Sequence, residues 1–81
     1  MKASNLKVQI QREEKIVVDL KFPLFVLNSL EAFIPEKAYE YLKQSNIDLK
    51  VILKNVEDSD YAPQTILEFD HDERHFKIWI E

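Results

Sequence analysis

The chain has 81 residues, a net charge of −4 at pH 7, 46% hydrophobic residues, and neither cysteine nor glycine. The lack of cysteine excludes disulfides and zinc–thiolate sites, and the lack of glycine excludes the phosphate-binding loops of common nucleotide-binding motifs. The length and the mixed-sign charge predict one globular domain over residues 1–81 rather than a disordered chain.

The first part of the chain carries the alternating pattern of two half-buried strands. Apolar side chains take every second position in both, namely Leu6, Val8, Ile10, Ile16, Val18, Leu20 and Phe22. The charged residues 12–15 between them are too few for a helix. They predict a hairpin connection made without glycine.

Two helical segments follow, each near a proline. Pro23 ends the second strand and suits the first turn of a helix with an apolar core stripe of Val26, Leu27, Leu30, Phe33 and Ile34. Leu24 and Phe25 widen the apolar arc beyond one face, which indicates surface available to a partner. Pro35 can start a second helix, which should end at a left-handed Asn46.

Residues 47–56 fit two patterns. As a helix, the segment has Asp48 as its N-cap and an apolar contact between Ile47 and Ile52 across the first turn. As a strand it alternates almost as well, with Ile47, Leu49, Val51 and Leu53 on one face. We favour the helix because the capping signals add evidence that the strand pattern lacks.

A second hairpin is predicted after an acidic loop at residues 57–63. Its strands are residues 65–69 and 75–80, and alternation gives them a shared apolar face of Leu67, Phe69, Phe76, Ile78 and Ile80. Strands at both ends of the chain with helices between them predict an α+β fold. It should be a four-stranded antiparallel sheet made of two terminal hairpins, with two or three helices packed on one face.

Residues 70–75 are the main candidate for an ion site, because they hold three carboxylates and two imidazoles. Their spacing matches no metal-ligand pattern, and a turn without glycine needs polar residues in any case. No Ser–His–Asp arrangement or carboxylate pair stands out. We therefore expect no enzyme, no cofactor, and no catalytic or metal-binding residues. The alternative is a small-ligand or metal-ion sensor that uses the acidic segment 57–75.

Apolar residues outside the core pattern indicate a contact surface. Alternation places Trp79 on the sheet face opposite the core, together with Ile66 and Val17 if the register holds. Such a cluster on a polar face is typical of an association surface, although an edge strand, a flanking loop or the chain end could instead cover Trp79. With Leu24 and Phe25, these are the interface candidates for a protein partner or for a second copy in a homodimer.

The charge distribution limits the class of partner. Residues 1–56 hold 9 basic and 7 acidic side chains, whereas residues 57–75 hold 7 acidic side chains and the single base Arg74. Nucleic acid requires a basic surface, so we expect no nucleic-acid partner. The sequence has no signal-peptide pattern and no apolar run of about 20 residues, which predicts a cytoplasmic domain without direct membrane insertion.

Several short segments resemble a bacterial module. They are Val8-Gln9-Ile10, Leu20-Lys21-Phe22-Pro23-Leu24, Ile34-Pro35, Asn46-Ile47-Asp48-Leu49 and Phe76-Lys77-Ile78-Trp79-Ile80-Glu81. Together they resemble the strand-strand-helices-strand-strand module of YvlB- and LiaX-type proteins, which are associated with cell-envelope stress responses. The resemblance implies the same fold, a helix at residues 47–56, and a non-enzymatic role in self-association or recognition of another protein.

Overall fold

The computed structural model describes residues 1–32 and 34–81. The chain forms β1 (Asn5–Arg12), β2 (Lys15–Pro23), a 3-10 helix (Leu24–Phe33), α1 (Glu36–Gln44), α2 (Leu49–Asp58), β3 (Gln64–His71) and β4 (Arg74–Ile80). In the described part of the chain, the four strands form one antiparallel sheet in the order β2-β1-β4-β3. The predicted α+β fold is confirmed, because the two terminal hairpins join through β1 and β4.

Both hairpins turn through left-handed residues although the chain has no glycine. Glu13 and Glu14 have φ of 52° and 63°, and Asp72 and Glu73 have φ of 53° and 62°. Left-handed turns of this kind match the twist of the flanking strands. Each such residue other than glycine costs roughly 1–2 kcal/mol. The predicted glycine-free connections therefore form at the expense of local backbone strain.

The core lies on one face of the sheet. Its buried apolar side chains are Ala3, Leu6, Val8, Leu27, Leu30, Ile34, Ala38, Leu42, Leu49, Val56, Ile66, Leu67, Phe69, Phe76, Ile78 and Ile80. Apart from Ala3 before β1 and Ile34 after the 3-10 helix, they come from β1, β3, β4 and the helical segments. Among the described residues, β2 contributes none of them. The helices therefore cover three of the four strands well and leave the β2 side partly open.

The first helical segment is a 3-10 helix, which is tighter than the helix that its stripe predicts. It bends at Ser29, whose φ of −113° and ψ of 26° are not helical. Leu24 is half-buried and packs against the core, so it adds less to the exposed apolar arc than the sequence predicts. Phe25 does widen it, with 74% of its surface exposed. Phe33, predicted in the core stripe, lies outside the described residues.

Residues 47–56 are helical. The Asp48 carboxylate accepts a hydrogen bond from the backbone N–H of Lys50 at 2.9 Å, so Asp48 caps α2 as predicted. After α1, Asn46 takes the predicted left-handed conformation, with φ of 62°. The N–H of Ile47 then donates to the carbonyl of Leu42 at 2.9 Å, which closes the end of α1. Because α2 begins at Leu49 and only four residues separate it from the end of α1 at Gln44, the strand alternative for residues 47–56 is wrong.

Candidate functional site

Trp79 lies on the sheet face opposite the helices, where alternation predicts it. Its side chain is half-buried. The ammonium of Lys77 lies 5.0 Å from the ring centroid, and that of Lys7 lies 6.0 Å from it. Lys7 is also its partner across β1 and β4. Two lysine side chains of its own sheet therefore lie near the ring, whereas the sequence suggested cover by an edge strand, a flanking loop or the chain end.

The predicted cluster of Trp79, Ile66 and Val17 does not form. A bulge in β3 between Thr65 and Leu67 places Thr65 opposite Trp79. Ile66 is 6% exposed and belongs to the core. Val17 lies on β2, which β1 separates from β4. The expectation is wrong because the extra residue at a bulge changes which face the following side chains occupy.

The exposed large apolar residues of the sheet lie on β2. In the described part of the chain, Ile16 and Val17 are each 55% exposed and Leu20 is 43% exposed. β2 is also an edge strand, so one row of its backbone N–H and C=O groups has no partner strand. Of these three residues, only Val17 was an interface candidate, because alternation placed Ile16 and Leu20 on the predicted core face. The apolar content of β2 was visible in the sequence, but its position beyond the helices was not.

Phe25 extends the exposed apolar surface just beyond the end of β2. It lines a shallow depression of about 280 Å³ together with Leu24, Tyr61 and Lys2. The ammonium of Lys2 lies 5.3 Å from the Tyr61 ring centroid, so this wall is partly cationic. Of the five interface candidates, Val17 and Phe25 are exposed, Trp79 is half-buried, and Ile66 and Leu24 belong to or pack against the core.

The polar cluster in the second hairpin is organised around His75. Its Nδ1 lies 2.7 Å from Oδ1 of Asp70, and its Nε2 lies 2.9 Å from Oε2 of Glu68. The hydrogen bond with Asp70, followed by that with Glu68, raises the pKa of His75 because both favour the protonated ring. His71 lies apart from them, with its ring centroid 5.1 Å from that of Tyr41 and the two rings tilted by 33°.

Both ring nitrogens of His75 lie within hydrogen-bond distance of carboxylate oxygens, which accept hydrogen bonds from the protonated ring. Among the described residues, no group of three or more His, Asp or Glu side chains is placed to hold a metal ion. The two histidines and the carboxylates of residues 70–75 therefore do not converge on one point.

A depression of about 510 Å³ lies between the start of α1 and the β3–β4 turn. Its charged residues Glu36, Lys37, Asp72 and Arg74 are all exposed. Of the described residues that line this depression, none carries a hydroxyl or thiol group.

Comparison with known proteins gives a family. A search of curated proteins finds no match, and a search of solved structures finds none. Among the described residues, no helix is both long and apolar enough to cross a membrane. A family model described as YvlB-like protein, C-terminal domain, matches residues 4–80, which run from the start of β1 to the end of β4. The resemblance to YvlB-type proteins inferred from short segments is confirmed, and the chain belongs to the YvlB-like C-terminal domain family.

Proposed function

We propose that this domain is a non-enzymatic protein-interaction or assembly module that associates with itself, in the simplest case as a homodimer. The observation that carries the proposal is the exposure of Ile16, Val17 and Leu20 on an edge strand. Natural edge strands are usually protected by being short, covered or charged. β2 has nine residues and alternates apolar with charged side chains over much of its length, so its protection is incomplete.

The size of this surface supports a weak, reversible contact. Stable complexes bury about 1,600 Å² in total, and a single strand with its flanking side chains offers less than that. We therefore expect a dissociation constant in the micromolar range or weaker.

Sedimentation velocity from micromolar to millimolar concentration tests the proposal. The wild-type chain should associate as concentration rises. Val17→Lys should weaken the association, because it places a charge in the apolar surface of β2. Val51→Lys on α2 is the matched control, since Val51 is equally exposed at 55% and should tolerate the change.

Two results would count against the proposal. A wild-type chain that stays monomeric at millimolar concentration removes the self-association. Equal weakening by Val17→Lys and Val51→Lys shows that added charge, rather than the surface of β2, controls the contact.

No observation favours the alternative of an ion or ligand sensor on residues 57–75, since His75 is already hydrogen-bonded on both nitrogens. The cytoplasmic location stays a prediction from the lack of a signal-peptide pattern and of a long apolar run, and the absence of a nucleic-acid partner stays a prediction from the charge distribution.

A further inference from the structure

The backbone hydrogen bonds of β1 show which way its residues point. The N–H of Asn5 donates to the carbonyl of Glu81 at 2.9 Å, and the N–H of Glu81 donates to the carbonyl of Asn5 at 3.0 Å. Asn5 therefore directs its backbone groups toward the β4 side. In an antiparallel sheet this direction alternates along the strand. Leu6, the next residue, directs its backbone groups toward β2.

The register of β1 with β2 then defines the open edge. Leu6 lies opposite Phe22. Phe22 and, by alternation, Leu20 direct their backbone groups toward β1. Asp19 and Lys21 direct theirs away from the sheet, where they can pair with another strand.

Two irregularities bound this open segment. The extra residue Val17 forms a bulge at one end. Pro23 at the other end has no N–H to donate. Residues 18–22 between them are a regular strand, and a partner strand has to fit within that length.

We propose that β2 pairs antiparallel with β2 of a second copy of the chain, about a two-fold axis through Leu20, so that the two sheets become one. This inference rests on the proposed function and specifies its contact. Leu20 would oppose Leu20 of the second copy, and Val18 would oppose Phe22 of the second copy on the helix side. Asp19 would oppose Lys21 of the second copy on the polar side.

Charge within one copy supports this register. Lys21 lies directly opposite Lys7 on β1, and opposed like charges destabilise an antiparallel pair. Asp19 lies 3.8 Å from the ammonium of Lys7, whereas Lys21 forms no ion pair within the described part of the chain. The axis through Leu20 places an Asp19 carboxylate beside each Lys21.

Neighbouring registers lose this match. An axis through Asp19 would oppose two Asp19 carboxylates, and an axis through Lys21 would oppose two ammonium groups. A shift by one residue would turn the charged side chains toward the apolar face. A lysine on an edge strand usually prevents pairing. Here Asp19, two residues away, makes the strand complementary to itself.

The opposite edge of the sheet does not share this property. β3 carries Glu68 and Asp70 on its polar face. An axis through Phe69, which lies between them, would oppose these two carboxylates across the interface. Assembly should therefore close at two copies instead of growing from both edges.

Charge reversal tests the register. Lys21→Asp replaces both opposite-charge contacts by like-charge contacts and should raise the dissociation constant about tenfold or more. Combining Asp19→Lys with Lys21→Asp exchanges the charges and should restore most of the association. The double variant also keeps a negative charge near Lys7 within each copy, at position 21 instead of position 19. Lys54→Asp on α2 is the matched control for the change in net charge and should leave association unchanged.

Disulfide trapping gives a second readout, because the chain has no cysteine of its own. Residue 20 would lie on the axis in a non-hydrogen-bonded pair, with Cα atoms about 4.5 Å apart, which is within the range of disulfides. Mild oxidation should join Leu20→Cys chains into covalent dimers. Val51→Cys, exposed on α2, should remain largely monomeric.

The outcomes separate the two proposals. If the wild type associates but Lys21→Asp has no effect, or Leu20→Cys cross-links no better than Val51→Cys, the pairing of β2 is overturned while the proposed function stands. A wild type that is monomeric at millimolar concentration overturns both. Species that keep growing beyond a dimer overturn the closed two-fold arrangement.

Discussion

Replacement of Trp79 by alanine should destabilise the domain without changing its association. The ring is half-buried, with lysine ammonium groups 5.0 Å and 6.0 Å from its centroid. Exposed cation–π contacts contribute roughly 0.5–1 kcal/mol each, and truncation of a fully buried tryptophan costs roughly 3–5 kcal/mol. For a half-buried ring with two such contacts we expect a loss of about 2–3 kcal/mol. A chain of 81 residues has a stability of roughly 4–12 kcal/mol, so Trp79→Ala should stay folded.

Urea unfolding followed by far-UV circular dichroism measures this loss, since Trp79 is the only tryptophan and Trp79→Ala has no useful fluorescence. β4 is two strands from β2, or about 10 Å. Sedimentation of Trp79→Ala should therefore match that of the wild type. A variant that keeps its circular dichroism but no longer associates would refute the reasoning. It would assign the contact to the polar face around Trp79 instead of to β2.

Two further predictions concern the second and first hairpins. Hydrogen bonds with Asp70 and Glu68 raise the pKa of His75 above 6.5 in the folded protein. They therefore stabilise the folded state fully below about pH 6.5, and this stabilisation is lost as the pH rises through the pKa of His75 in the folded protein. The free energy of unfolding should fall by up to about 1 kcal/mol between about pH 6 and pH 9, and by less in His75→Gln; equal declines would assign the effect to other groups. Glu14→Gly should stabilise the chain by about 1 kcal/mol, because glycine adopts the φ of 63° without strain. A lower urea midpoint for Glu14→Gly contradicts this.

The strands and the helix ends could be predicted because they depend on residues close together in the chain. Alternation identified both hairpins even though their turns lack glycine. Asp48 and Asn46 identified the boundary between α1 and α2. Asp48 caps α2 with its carboxylate, and Asn46 ends α1 because asparagine tolerates the left-handed conformation. Signals of this kind do not require knowledge of tertiary contacts.

The face of Ile66 could not be predicted, because Ile66 is the extra residue at a bulge in β3. Val17, predicted off the core face, is exposed. Alternation assumes an unbroken register, and one inserted residue reverses the assignment that follows it. The adjacent apolar pair Ile66 and Leu67 was the one sequence signal of a break. The exposure of Leu20 was also hidden, since it depends on how far the helices extend across the sheet.

The position of the helices gives the physical reason to expect association at β2. Leu20 lies on the same sheet face as the core, because it opposes Val8 across β1 and β2. Val8 is 4% exposed, whereas Leu20 is 43% exposed. The apolar face thus extends one strand beyond its cover. Pairing of two β2 strands would give Leu20 an apolar neighbour while Asp19 and Lys21 stay on the solvent side. Dimer formation would therefore bury apolar surface of Leu20 without removing Asp19 or Lys21 from water. Desolvation of charged side chains usually opposes the burial of a charged edge strand.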